Sequence, residues 1–308
     1  MNTVIRLVAL MVALTAQAGA AERVAQSHET QWGRNDKYPN FSGHVIHARD
    51  VIVFVPAGPK PAEGYAVIYM HDGRNVFDPA TSTGHQPWAA DRAVNEGHYP
   101  AIVVAIDNTT LRWSEYMPQS VFAALPSTVV AAAQGKEPPP LSDAYVDFIA
   151  DELKPWIDAH YPTRQDPAHT FIMGSSMGGL ISIYAMERRP EIFGRAAGLS
   201  THWTATTNFA LYGTGPESAD AELTVIANTT VDTLADHLPD AVSHRLWVDY
   251  GDRTLDQFYP TYAKRFEQRA TNQGWGKSLA VRSIPDAAHD ETSWRQRLPE
   301  ILEFLFSP

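Results

Sequence analysis

The sequence predicts an α/β protein: a mostly parallel central sheet of about eight strands with helices on both faces. Three observations support this. Short apolar runs alternate with helix-length amphipathic segments along most of the chain. Several of the runs are apolar at every position, as strands buried on both faces are. The chain also has 308 residues, 44% hydrophobic, enough for a large core.

The elements follow in order. Residues 1–20 carry Arg6, an apolar run from Leu7 to Leu14 and small-x-small steps at Ala16–Ala18 and Ala18–Ala20, the pattern of an export signal. Residues 21–308 then form a single domain, with a polar lead-in from Ala21 to about Pro39. Strands are expected at Val51–Ala57, Tyr65–Asp72, Ala101–Asn108, Thr170–Ser175, Arg195–Ser200, His244–Gly251 and Leu279–Pro285. Helices are expected at Asp143–Tyr161, capped by Ser142 or Asp143 and kinked at Pro155, and at Met177–Arg189, Thr254–Gly274 and Glu291–Phe306. The stretch 118–141, ending in three prolines, reads as a lid-like insertion or binding loop.

Composition narrows the partners. A net charge of −11 disfavours nucleic acid and anionic membranes. The absence of cysteine removes disulfides, thiol nucleophiles and thiolate metal sites. No metal-ligand motif of familiar spacing stands out, and the reading calls for no cofactor. After cleavage of the signal the protein is expected to be periplasmic or secreted.

Gly174-Ser175-Ser176-Met177-Gly178 fits G-x-S-x-G about Ser176 and not about Ser175. It lies between a predicted strand and a predicted helix, the setting in which a serine stands on a sharp turn with small residues two before and two after. A serine hydroxyl needs a base. Of His202, His237, His244 and His289, which follow Ser176, His289 lies after the last predicted strand and before the last helix, at the carboxyl edge of the sheet. His202 and Trp203 read as pocket walls. The acid belongs after the strand at His244–Gly251, where both Asp252 and Asp256 are open choices. One oxyanion donor is the amide of Met177, and the other is expected in the loop His71-Asp72-Gly73-Arg74, whose first three residues are also pocket candidates.

These blocks together resemble the family of α/β-hydrolases that includes esterase D-like, feruloyl, acetylxylan and siderophore esterases and the mycolyltransferases. The resemblance runs from about Val51 to Leu305 and includes "YMHDGRNVFD", "GSSMGG", "VDYGDRTLDQFY" and "PDAAHDETSW". It implies Ser176 as nucleophile, His289 as base, Asp256 in preference to Asp252 as acid, and the amide of Arg74 as second oxyanion donor. It implies Arg112 and Glu115 as a structural pair near the site. It also implies hydrolysis of carboxylic esters through an acyl-enzyme, with acetyl or feruloyl esters of carbohydrates as expected substrates. A siderophore trilactone is the alternative substrate, acyl transfer the alternative reaction, and a non-catalytic binding protein on the same scaffold the alternative of another kind.

Overall fold

The computed structural model describes residues 24–307, so the expected signal segment at 1–20 lies outside the described residues. Among the described residues the sheet has nine strands: β1 (Gln26–Thr30), β2 (Gly33–Phe41), β3 (Arg49–Pro56), β4 (Ala66–His71), β5 (Ala101–Ile106), β6 (Thr170–Ser175), β7 (Arg195–Leu199), β8 (Arg245–Tyr250) and β9 (Leu279–Ser283). Their spatial order is β1-β2-β3-β5-β4-β6-β7-β8-β9. The contacts from β1 to β5 by way of β2 and β3 are antiparallel, and all the others are parallel.

The seven expected strands form within a residue or two of their predicted ends. Two more, β1 and β2, lie in the stretch the sequence marks as a polar lead-in. They form a hairpin at the sheet edge, where β1 has no buried residue and β2 buries Asp36, Tyr38 and Phe41 between more exposed neighbours. By contrast β4, β5 and β6 are buried at every position.

Side chains alternate across the central strands. Val67 and Tyr69 join one core with Leu180 and Ile181 of the helix Met177–Arg188, Ile226 of the helix Ala221–Asp236 and Phe266 of the helix Pro260–Asn272. Ile68 and Met70 join the opposite core with Val94 of the helix Ala90–Glu96 and Leu298, Ile301 and Leu305 of the helix Glu291–Phe306.

The predicted helix at 143–161 forms as one continuous helical stretch of three parts: Ser142–Asp147, a π turn at Phe148–Leu153, and Lys154–His160. The wide turn falls where Pro155 removes a backbone donor, so the ladder is re-spaced rather than broken. Neither expected cap forms: Ser142 Oγ instead accepts the Gln119 N–H, and Asp143 accepts the Tyr184 hydroxyl. Within 118–141 two helices form, Gln119–Ala124 and Ser127–Gln134, burying Val121, Leu125, Val129 and Ala133 in the first core.

The site is positioned by strand order. From β4 the chain passes to β5 on one side and then crosses back to β6 on the other side of β4. Parallel strands that diverge in this way leave a crevice at their carboxyl ends, the usual binding place in open α/β sheets.

Candidate active site

Ser176 stands between β6 and the helix Met177–Arg188 with φ 58 and ψ −125, a backbone region that side-chain-bearing residues rarely adopt. The turn is this tight because strand and helix nearly touch. A Cβ on Gly174 would lie 3.0 Å from the Gly178 backbone, and one on Gly178 would meet His71 Cβ at 3.4 Å. Met177 opens the helix, so its N–H has no carbonyl a turn earlier to bond within the helix.

His289 follows β9 and precedes the last helix. Its Nδ1 lies 2.6 Å from Asp256 Oδ1, and its own N–H donates to Thr254 Oγ1 at 2.8 Å. Asp256, on a 3-10 turn after β8, is fully buried. Asp252 has a half-exposed side chain whose ion-pair partner is Arg253, at 3.5 Å. The structure therefore brings Asp256, and not Asp252, to His289. The two loops meet backbone to backbone: the N–H groups of Asp252 and Arg253 donate to Ala287 O. A Cβ on Gly251 would lie 2.1 Å from that same oxygen, so only glycine fits.

Burial by itself would raise the Asp256 carboxyl, but the bonds it accepts from His289, Ser200 and the Gly251 N–H hold it below the ordinary range. Ser200 Oγ donates to Asp256 Oδ2 at 2.5 Å and accepts from Trp294 Nε1 and Arg297 Nη1. Arg297 also pairs with buried Asp249 at 2.6 Å. The sequence reading missed this support. Its one legible trace is the spacing of Trp294 and Arg297, three apart on the helix that follows His289.

Ser176 and His289 share the wall of a cleft of about 370 Å³. Asp72, Arg74 and Arg112 line the same cleft, as do Glu291 and Trp294. Asp72 holds Arg112 through two bonds of 2.7 Å, while Glu115 pairs with fully buried Arg49 at 2.6 Å. The expected pairing of Arg112 with Glu115 is thus replaced by two separate pairs. Arg74 reaches the cleft, but its backbone N–H donates to Asp107 Oδ1 at 3.1 Å and its guanidinium bonds the same carboxylate. The amide expected to face an oxyanion is therefore turned to Asp107 in this structure.

Four expected pocket residues lie beneath the site and do not line it. His71 is buried, with Nδ1 2.7 Å from the Tyr145 hydroxyl, and burial lowers its pKa to about 3. Gly73 is packed against β5, where a Cβ would lie 2.8 Å from Asp107 N. His202 has both ring nitrogens engaged, by the Tyr259 hydroxyl and Thr206 O, and burial lowers it too to about 3. Trp203 packs in the core against Phe266, ring centroids 4.9 Å apart and tilted by 35°. The chain dives there because Ser200 takes φ 43 and the His202 N–H bonds back to Ser176 O.

Among the described residues no group of three or more His, Asp or Glu is placed to hold a metal ion, and no helix is long and apolar enough to cross a membrane.

Comparison with known proteins gives concordant results. The model of the Esterase family, described as "Putative esterase", matches residues 42–305. The ferri-bacillibactin esterase BesA of Bacillus subtilis is 29% identical over 163 residues, 50% of this chain and 54% of that protein. The siderophore triacetylfusarinine C esterase of Aspergillus fumigatus is 29% identical over 136 residues, 44% of this chain and 42% of that protein. The matches thus span about half the length of these relatives. The crystal structure of the enterobactin esterase FES from Shigella flexneri superposes with a TM-score of 0.58 at 17% identity, covering 91% of this chain and 62% of that one, a likeness of fold.

Proposed function

The chain belongs to the Esterase family, and from that premise we propose that it is an exported serine ester hydrolase acting through Ser176, His289 and Asp256. The observation that carries the reading is the buried Asp256 carboxylate 2.6 Å from His289 Nδ1, beside a serine on a strained strand-to-helix turn. With Nδ1 bound to the carboxylate, Nε2 is the nitrogen left to take a proton. His289 removes the Ser176 proton as Oγ attacks the ester carbonyl. The Met177 amide, at the positive end of its helix, stabilises the oxyanion. His289 then protonates the leaving alcohol, and water activated by the same imidazole releases the acid from Ser176. The export pattern at residues 1–20 supports action outside the cytoplasm.

Two substrate classes have support of different kinds. The names of the two sequence relatives favour a siderophore ester. The cleft itself favours an uncharged ester, because its arginines, Arg74 and Arg112, are each committed to a carboxylate. Acetyl or feruloyl esters of saccharides meet that condition.

The test compares wild type with Ser176→Ala on p-nitrophenyl acetate, then offers the mature protein a siderophore trilactone, an acetylated saccharide and a feruloylated saccharide. Loss of hydrolysis and of fluorophosphonate labelling in Ser176→Ala is the expected result. Hydrolysis by Ser176→Ala at the wild-type rate would overturn the reading.

A further inference from the structure

A second, larger cleft of about 660 Å³ adjoins the first, and the two share Arg74 and Asn108 as a common wall. Resting on the esterase reading, we infer that this second cleft is a binding subsite for the uncharged, hydroxyl-rich alcohol portion of the ester, while the scissile carbonyl lies at Ser176. One wall comes from the hairpin at the sheet edge. There β2 bulges between Tyr38 and Phe41, and Asn40 takes φ 53, which turns the strand locally. The others come from the lead into β3 and the loop after β5.

The chemistry of the walls selects the ligand. Every charged side chain here is already paired: Asp50 with Lys37 at 2.7 Å, Arg49 with Glu115, and Arg74 with Asp107. An anionic or cationic arm would find no unspent counter-charge. The side chains of Asn40, His47 and Thr110 also line the cleft and spend no hydrogen bond on other described residues. An amide, an imidazole and a hydroxyl both donate and accept, as the hydroxyl groups of a polyol do. No Phe, Tyr or Trp side chain lines this cleft, so a flat aromatic acyl group finds no large ring to stack on in it.

The experiment measures kcat/KM for four acetate esters: ethyl acetate, glycerol monoacetate, glucose 6-acetate and cyclohexylmethyl acetate. The acyl group is constant, so only the alcohol varies. Wild type is expected to favour glucose 6-acetate over ethyl acetate by about tenfold, the worth of one or two modest hydrogen bonds. Glycerol monoacetate should fall between them, and cyclohexylmethyl acetate should show no such gain. Ala48→Trp and Thr110→Trp, which fill the cleft from exposed positions on two walls, should each bring the glucose-to-ethyl ratio close to one. A wild-type ratio near one, an equal gain with the cyclohexyl ester, or a gain that survives both substitutions would overturn the subsite while leaving the esterase standing. Failure to hydrolyse any of the four, or p-nitrophenyl acetate, would instead remove the esterase reading and the subsite with it.

Discussion

The backbone N–H of Arg74 and its guanidinium both bond the carboxylate of Asp107, at 3.1 Å and 2.9 Å. This clamp fixes a short turn, Gly73–Asn75, entered through Asp72 in the left-handed region at φ 57. It holds the wall shared by both clefts. A misplacement of about 1 Å in a positioning element can cost up to about a hundredfold in rate. Asp107→Ala is therefore expected to lower kcat on p-nitrophenyl acetate by about tenfold with little change in KM. An unchanged or raised kcat would show that the carboxylate does not position this turn for catalysis.

Asp256 and Asp252 lie four residues apart, yet their surroundings separate them. Asp256 is fully buried and accepts bonds from His289, Ser200 and Gly251, while Asp252 is half exposed. Asp256→Asn retains the shape but removes the charge that stabilises the imidazolium and sets its tautomer. A fall in kcat of about a thousandfold or more is expected. Asp252→Asn should stay within about twofold of wild type, as surface changes do. Comparable losses in the two variants would contradict the assignment of the acid.

These differences show what a linear reading can reach. Ser176 was legible because the elbow is local: two glycines, a strand before and a helix after. His289 was legible from chain order and the carboxyl-edge rule. The acid stayed open because its choice depends on Ala287 O packing against Gly251, a contact 36 residues apart in sequence. His202 and Trp203 were misplaced because the positive φ at Ser200 sends the chain into the core, which hydrophobic periodicity does not encode. The hairpin β1–β2 is not legible because edge strands with one or both faces wet resemble a polar loop. The partner of Arg112 came from another strand end, beyond the reach of short-range charge pattern.

Buried titratable groups set a pH optimum for stability. His71 and His202 are lowered to about 3 by burial, against 6.5 when exposed. As pH falls through about 6.5 the unfolded chain takes up two protons that the folded chain refuses, so stability declines toward acid. Glu187 is raised by burial, and by nearby Asp143, to about 8. Its folded form keeps a proton that the unfolded chain releases above about pH 4.3, so its contribution is lost as pH rises toward 8. Each uncompensated proton changes stability by about 1.4 kcal/mol per pH unit. Below pH 6.5 the two histidines outweigh the one glutamate; above it the histidines are neutral in both states and the loss from Glu187 remains. The melting temperature is expected to peak near pH 6.5. Glu187→Gln should flatten the alkaline side and leave the acid side in place. A profile of Glu187→Gln that matched wild type above pH 6.5 would refute the argument.

Ser176 holds its position at a conformational cost that the fold can be made to give back. At φ 58 and ψ −125 a residue with a Cβ is strained by about 1–3 kcal/mol, and glycine is not. Ser176→Gly removes that strain, offset by about 0.5–1 kcal/mol for the greater freedom of glycine in the unfolded chain. The net expectation is a stabilisation of about 1 kcal/mol, a rise of roughly 1–2 °C in melting temperature for a chain of this size. Ser176→Ala removes the nucleophile equally but keeps the Cβ, so its melting temperature should stay close to wild type. Thermal melts of the three proteins at one pH decide the matter. Glycine above alanine, with both inactive on p-nitrophenyl acetate, would show that the turn stores strain to present the hydroxyl. Equal melting temperatures for glycine and alanine would show that the surrounding contacts hold the turn without strain.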